Sequence, residues 1–195
     1  MAGRPARVQP PCAGAPVRFD AAGRVCDSPP PQPQERAVTT DSAPPKAPVL
    51  DPATLTARTG ATDYPDPFRA AVAGRHRVAL GDPLGLSNFG VNLTRLDPGA
   101  SSALRHWHGR QDEFVYVVEG ELVLVTEAGE TLLTSGLCAG FPAGKADGHR
   151  LINRSDRPAS YLEIGDRSAG DAIDYSDEDM VWRDGAYHHR DGTPW

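Results

Sequence analysis

Between residues 75 and 164 the chain repeats one pattern, in which a short apolar run is followed by a turn signal. The breaks contain glycine and proline, as in Asp97-Pro98-Gly99 and Ser135-Gly136. Many short strands at spacings of about ten residues, with such turns between them, indicate an antiparallel β-sandwich or barrel. The predicted strands are Arg75–Leu80, Phe89–Leu96, Leu104–His108, Glu113–Val118, Leu122–Thr126, Thr131–Leu133, Leu137–Phe141, His149–Ile152 and Tyr161–Ile164.

The rest of the chain divides into three parts around this β region. Residues 1–48 hold eleven of the 19 prolines and almost no apolar run, which predicts a disordered extension. We expect residues 49–74 to form an N-terminal arm with a short helix over Thr54–Arg58 after the Asp-Pro start signal. The barrel is predicted over residues 75–168, and the acidic residues 169–195 are predicted to be an irregular tail packed on it.

Part of the proline-rich extension is open to a second interpretation. Valine codons can start translation in GC-rich bacterial genes, and Val38 begins the polar stretch that leads into the arm. We therefore hypothesise that residues 1–37 are not part of the natural protein.

Charge and composition exclude several classes of function. The net charge is -6 and no Lys/Arg stripe is present, so a nucleic-acid surface is disfavoured. No apolar run approaches the roughly 18 residues of a membrane span, and no secretory signal is recognisable. Three scattered cysteines, Cys12, Cys26 and Cys138, do not suggest a disulfide framework. These features predict a cytoplasmic protein without nucleic-acid or membrane partners.

The most informative stretch contains a His-x-His pair followed by a glutamate. Side chains at positions i and i+2 of a strand share a face, so His106 and His108 should point the same way and Trp107 the other. Glu113 opens the next strand and can return to the same face, and His149 begins a later strand across the barrel. Three imidazoles and one carboxylate predict a site for one divalent transition metal, with Fe, Mn, Zn and Ni as candidates.

These residues and the glycines around them resemble the two motifs of the cupin superfamily. Four residues rather than the usual two separate Gly144 from His149, while the spacing from His149 to Asn153 is the expected one. The resemblance implies an all-β fold, the cupin double-stranded β-helix or jelly-roll barrel, with His149 as the fourth metal ligand. The first motif comprises Gly99, His106, His108, Glu113 and Gly120, and the second Gly136, Pro142, Gly144, His149 and Asn153.

The wider chain also resembles small bacterial cupins that are loosely labelled sugar-phosphate isomerases. The similar segments are Asp63–Phe68, Cys138–Phe141 and Asp191–Pro194. This resemblance supports the fold more than any activity. Four protein ligands on a six-coordinate ion would leave two positions for adjacent oxygens of a small substrate, which predicts a metalloenzyme of the isomerase, epimerase or oxygenase class. The alternative is a non-catalytic, metal-dependent binding or sensor module, which would need no acid/base group beside the metal.

Strand alternation also predicts the surroundings of the site. An apolar floor is expected because Val115, Val117 and Leu151 should share the face of the ligands. Tyr161 and Glu163 are possible acid/base groups, but the sequence does not fix the face on which they lie. Residues 114–118 and 122–125 are apolar on both faces of their predicted strands, which together with an outward Trp107 predicts a homodimer.

Overall fold

The computed structural model describes residues 49–195, and the predictions of a disordered extension over residues 1–48 and of a non-native segment 1–37 lie outside the described residues. The described part is all-β, with one-turn 3₁₀ segments at Pro52–Thr54, Phe68–Val72 and Asp82–Leu84. The strands are β1 (Arg58–Thr59), β2 (Arg75–Ala79), β3 (Phe89–Leu96), β4 (His106–His108), β5 (Glu113–Glu119), β6 (Glu121–Thr126), β7 (Gly129–Thr134), β8 (Cys138–Phe141), β9 (Arg150–Ile152), β10 (Ala159–Asp166), β11 (Ile173–Tyr175), β12 (Met180–Arg183) and β13 (Ala186–His188).

Two sheet layers enclose the interior. One is a six-stranded antiparallel sheet in the order β1-β2-β3-β10-β5-β8. The other contains β13-β12-β11-β4 and β7-β6-β9, which meet where His106 of β4 pairs with His149 just before β9. This arrangement confirms the predicted cupin jelly roll.

The interior holds an aliphatic core contributed by both layers. Leu96, Val117 and Leu122 are completely buried in it, and Val115 and Leu151 nearly so. Burying one such side chain contributes about 1.5–3 kcal/mol. The alternation of buried and exposed residues along β5 follows from its position, since only one of its faces meets the opposite layer.

Asn153 of the second motif stabilises the end of β9. Its side chain is fully buried and donates from Nδ2 to the carbonyl oxygens of Leu96 and Arg157, at 3.0 and 2.7 Å. The Oδ1 atom accepts from the Ser155 amide at 3.0 Å. These bonds join the turn after β9 to the end of β3 and fix the strand that follows His149.

Two local predictions were wrong. Residues 54–58 do not form a helix, because the Asp51 cap starts only a single 3₁₀ turn and the chain then enters β1. The segment after residue 169 is not irregular, because β11 pairs with β4 and is followed by β12 and β13. Its buried residues Tyr175 and Met180 pack against Tyr64 of the N-terminal arm.

Among residues 49–195, no helix has the length and apolar character that crossing a membrane would require.

Candidate metal centre

The pairing of β4 with the residue before β9 places two imidazoles side by side. His106 and His149 exchange backbone hydrogen bonds of 3.1 and 2.8 Å, so their side chains emerge on the same face. Their ring centroids are 4.9 Å apart. The Phe141 ring stacks on His149 with a centroid distance of 3.5 Å and fixes its plane. The lengthened loop after Gly144 therefore leaves His149 beside His106 on the inner face.

The three predicted histidines converge on one atom of the fourth predicted residue, Oε2 of Glu113. The Nε2 atoms of His149, His108 and His106 lie 3.1, 3.7 and 3.9 Å from it. Ligand atoms of His106, His108 and Glu113 all lie within 4.8 Å of one another. Two ligands at right angles around one ion, each about 2.1 Å from it, are about 3 Å apart, so this donor set could hold a metal.

Two further contacts fix the orientation of the first two imidazoles. Nδ1 of His106 lies 2.8 Å from the Leu104 carbonyl oxygen, and Nδ1 of His108 lies 2.6 Å from Asp171 Oδ2. Carbonyl and carboxylate oxygens only accept, so each Nδ1 carries the hydrogen and each Nε2 offers its lone pair inward. Asp171 is itself buried and accepts from the Arg110 amide at 2.8 Å. Such a carboxylate is a common partner of metal-binding histidines.

Burial and the neighbouring side chains together set the charge states of His106 and Glu113. Burial lowers the pKa of His106 to about 4, so this imidazole is neutral at neutral pH and free to coordinate. Burial alone would raise the pKa of Glu113, but the hydrogen bond from His149 and the neighbouring imidazoles lower it to about 2. Glu113 is thus an anion and His106 is neutral, the forms in which both bind a cation.

These four residues, which we call the imidazole wall, line a cavity of about 300 Å³. The same cavity is lined by Val115 and Leu151, which the predicted apolar floor contained. Val117, the third member of that floor, is buried in the core instead.

The lining of the cavity also includes polar side chains that the sequence did not predict. Among these, Arg58 of β1 and Arg75 and Arg77 of β2 form what we call the arginine wall. Tyr161 and Glu163 of β10 also line the cavity. Strand alternation in β2 was the available signal, because it puts two arginines on one face of a strand next to the core.

Glu163 is held in place from three directions. Its Oε1 accepts from Asn92 Nδ2 at 3.0 Å and lies 3.4 Å from Nη1 of Arg77, and its Oε2 lies 3.5 Å from the Tyr161 hydroxyl. Burial and, next to it, the charge of Glu113 raise the pKa of Glu163. Burial likewise raises the pKa of Tyr161 well above its ordinary value, so the phenol stays protonated. The structure thus places both possible acid/base groups in the cavity.

Asp171 was not singled out as a site residue from the sequence. It lies in the acidic C-terminal segment, 63 residues after His108, and no spacing rule connects the two. Tyr175 of the same segment packs beside His106, with ring centroids 5.9 Å apart. The C-terminal segment therefore contacts two of the histidines, His108 through Asp171 and His106 through Tyr175.

Sequence and structure comparisons agree with this architecture. Residues 92–165 match the sequence profile of the cupin domain. A crystal structure of a protein described as a sugar phosphate isomerase from a cupin superfamily, from Silicibacter pomeroyi, is 47% identical, with a TM-score of 0.73. The match covers 76% of this chain and 96% of that one. The chain belongs to the cupin superfamily.

More distant structures share the fold. A putative sugar phosphate isomerase from Acidithiobacillus ferrooxidans is 30% identical over 62% of this chain and 76% of its own, with a TM-score of 0.56. A polyketide cyclase from Streptomyces resistomycificus is 17% identical over 60% of this chain and 78% of its own, with a TM-score of 0.51, which shows the fold alone. No curated protein matches the chain significantly.

Proposed function

We propose that this cupin is a metal-dependent enzyme that moves a proton on a small, oxygen-chelating substrate, as an isomerase or epimerase does. His106, His108, Glu113 and His149 would hold one divalent transition metal, which as a Lewis acid polarises bound oxygen atoms. The observation that carries the proposal is Glu163, a second carboxylate in the same cavity. A binding module would need no such group, whereas an enzyme needs an acid or base within reach of its substrate.

The environment of Glu163 suits proton transfer. A carboxylate whose pKa is raised is a stronger base, and its unprotonated oxygen can take a proton from a carbon beside a carbonyl group. The same carboxyl group returns the proton to the neighbouring carbon, and a proton passes from the hydroxyl oxygen to the former carbonyl oxygen. Together these two transfers complete an isomerisation without loss of atoms. Asn92 and Tyr161 hold both carboxyl oxygens while the proton moves.

Two observations favour proton transfer over oxygenation. The arginines, Tyr161 and Glu163 line the cavity in addition to the predicted apolar residues Val115 and Leu151, and polar groups suit a hydroxylated substrate. The similar proteins from Silicibacter pomeroyi and Acidithiobacillus ferrooxidans are both described as sugar phosphate isomerases.

The test starts with metal analysis of protein purified without a histidine tag. The metal-loaded protein is then incubated with hydroxy-aldehydes, hydroxy-ketones and hydroxy acids in D₂O, and NMR follows deuterium incorporation at carbon, with oxygen uptake recorded in parallel. We expect exchange in the wild type and a loss of about 10²–10⁴-fold in Glu163→Gln with metal content unchanged. Metal-dependent ligand binding without exchange in the wild type would instead identify a binding module, and oxygen uptake would identify an oxygenase.

We also propose that the protein forms a homodimer through the outer face of the six-stranded sheet. Phe114, Tyr116 and Val118 of β5 are 39%, 39% and 44% exposed on that face, beside the half-buried Leu162 and Ile164 of β10. Such a continuous apolar patch marks an interaction surface, and a second copy can present the same patch across a two-fold axis. Trp107 lies elsewhere, in a small cleft with Pro142 and Lys145, and does not contribute to this patch. Light scattering at micromolar concentration tests the proposal, and a monomer would contradict it.

A further inference from the structure

The arginine wall brings three guanidinium groups to one corner of the cavity. Arg58 of β1 and Arg77 of β2 are directly opposite each other in the antiparallel register. Arg75 lies two residues before Arg77 and therefore points to the same face. All three line the cavity that contains the imidazole wall.

This arrangement concentrates positive charge that the described residues do not neutralise. Arg75 is buried, and its Nη1 and Nη2 donate to the backbone oxygens of Ser102 and Ala61, which carry no net charge. Arg77 has one carboxylate contact, the 3.4 Å approach to Glu163, which Asn92 shares. Arg58 is exposed, and it forms no salt bridge with the other residues of the range 49–195.

Two nearby acids do not change this balance. Asp63 lines the same cavity but forms no ion pair with any of the three arginines among the described residues. Glu113 lies within 4 Å of the Nε2 atoms of the three histidines. Like charges directly opposite each other on neighbouring strands destabilise a sheet, so the pairing of Arg58 with Arg77 has a cost in the absence of an anion.

We propose that Arg58, Arg75 and Arg77 form an anion-binding subsite, and that the substrate is a small molecule that carries a carboxylate or phosphate in addition to its metal-chelating oxygens. Guanidinium groups bind both anions through paired N–H donors, and a partly enclosed cavity strengthens the attraction. This inference rests on the proposed function only for the metal-chelating oxygens of the substrate. The binding of its anionic group depends on the three arginines alone.

The cavity suits a molecule of this kind. Its volume of about 300 Å³ is at the lower end of the range for ligand sites. Glu163 contacts Arg77 and lines the same cavity as the imidazole wall, so a short hydroxylated substrate that reaches both the arginines and the metal site would lie near this carboxyl group. The anion would thus position the reacting carbons beside the proposed base.

The test uses inorganic phosphate and acetate as separate probes, titrated calorimetrically into the full chain at neutral pH. The titrations are run on the His106→Ala/His108→Ala variant as well as on the wild type, so that no bound metal contributes. We expect at least one anion to bind with a dissociation constant of about 1 mM or tighter. The Arg58→Gln/Arg77→Gln variant should weaken binding about tenfold or more, as the loss of charge-assisted hydrogen bonds predicts.

Arg95→Gln is the matched control, because Arg95 is an exposed arginine of β3 paired with Asp97 and does not line the cavity. Circular dichroism checks that all variants are folded. Phosphate binding alone points to a phosphorylated substrate and acetate binding alone to a carboxylic acid, and either result supports the subsite. Binding of neither anion, or equal weakening in Arg95→Gln, overturns it. Arginine-dependent anion binding by a wild type that binds no metal would support the subsite while refuting the proposed function.

Discussion

The two walls of the cavity differ in how their charges are balanced. In the imidazole wall, the Glu113 carboxylate faces three histidines, and His106 and His108 are oriented by Leu104 and Asp171. Among residues 49–195, the arginine wall has three guanidinium groups and one ion pair within 4 Å, from Arg77 to Glu163. The first wall presents donor atoms that suit a cation, whereas the second presents N–H donors that suit an anion. This difference is the basis for proposing a metal site at the first wall and an anion subsite at the second.

The largest expected effect is on the imidazole wall alone. The double substitution His106→Ala/His108→Ala removes two of the four donors, so bound metal should fall from about one equivalent per chain to background while the β fold remains. Mass spectrometric metal analysis and circular dichroism measure the two quantities. The control is Arg77→Gln in the arginine wall, and this variant should retain about one equivalent of metal per chain.

Two results would contradict the assignment of the metal site to the imidazole wall. Stoichiometric metal in the double variant would remove the imidazole wall as the metal site. Full retention of metal in His149→Ala alone would show that this histidine is not a ligand, although it lies 3.1 Å from Glu113.

The imidazole wall could be predicted from the sequence because its geometry is local. The His-x-His spacing fixes a shared face, Glu113 follows after one turn, and the interval from His149 to Asn153 marks the second motif. The arginine wall could not be predicted in this way. Arg77 contacts Glu163 only because β2, β3 and β10 are neighbours in the sheet, and this neighbourhood depends on sheet order and register.

The C-terminal segment shows the same limit of sequence reasoning. Tyr175, Met180 and Val181 are buried, yet they stand among acidic residues that hide the strand pattern. The contribution of Asp171 becomes visible only when β11 pairs with β4, which brings the preceding residues to His108. Tertiary pairing, rather than local preference, decides both features.

A smaller effect on metal affinity is expected from Asp171, which contacts His108. Asp171→Asn keeps the shape of the side chain but removes the charge that orients His108, so metal affinity should fall about 10- to 100-fold. Competition with a chromogenic chelator measures the change. Asp174→Asn, on β11 and paired with Arg190, is the matched control. An unchanged affinity in Asp171→Asn would mean that the backbone alone orients His108.

The smallest effect concerns the acid sensitivity of the metal-free protein. The pKa of His106 is lowered from 6.5 to about 4, so between these values the unfolded chain binds more protons than the folded one. The free energy of unfolding should therefore fall as the pH decreases from about 6.5 to about 4. His106 contributes up to about 1.4 kcal/mol per pH unit to this decrease, the slope that the binding of one proton produces. Urea unfolding over this range should show a shallower slope for His106→Gln than for the wild type. Identical slopes would show that His106 is not buried as a neutral group.

The central claim, that four side chains of the imidazole wall bind one divalent transition metal, is tested most directly by anomalous diffraction from metal-loaded crystals. Data collected on both sides of the absorption edge of the metal identify the ion and locate it. The account predicts a single peak within about 2.0–2.3 Å of Nε2 of all three histidines and of a carboxylate oxygen of Glu113. A stoichiometric metal found away from these atoms, or no peak among them in protein that carries metal, would contradict it.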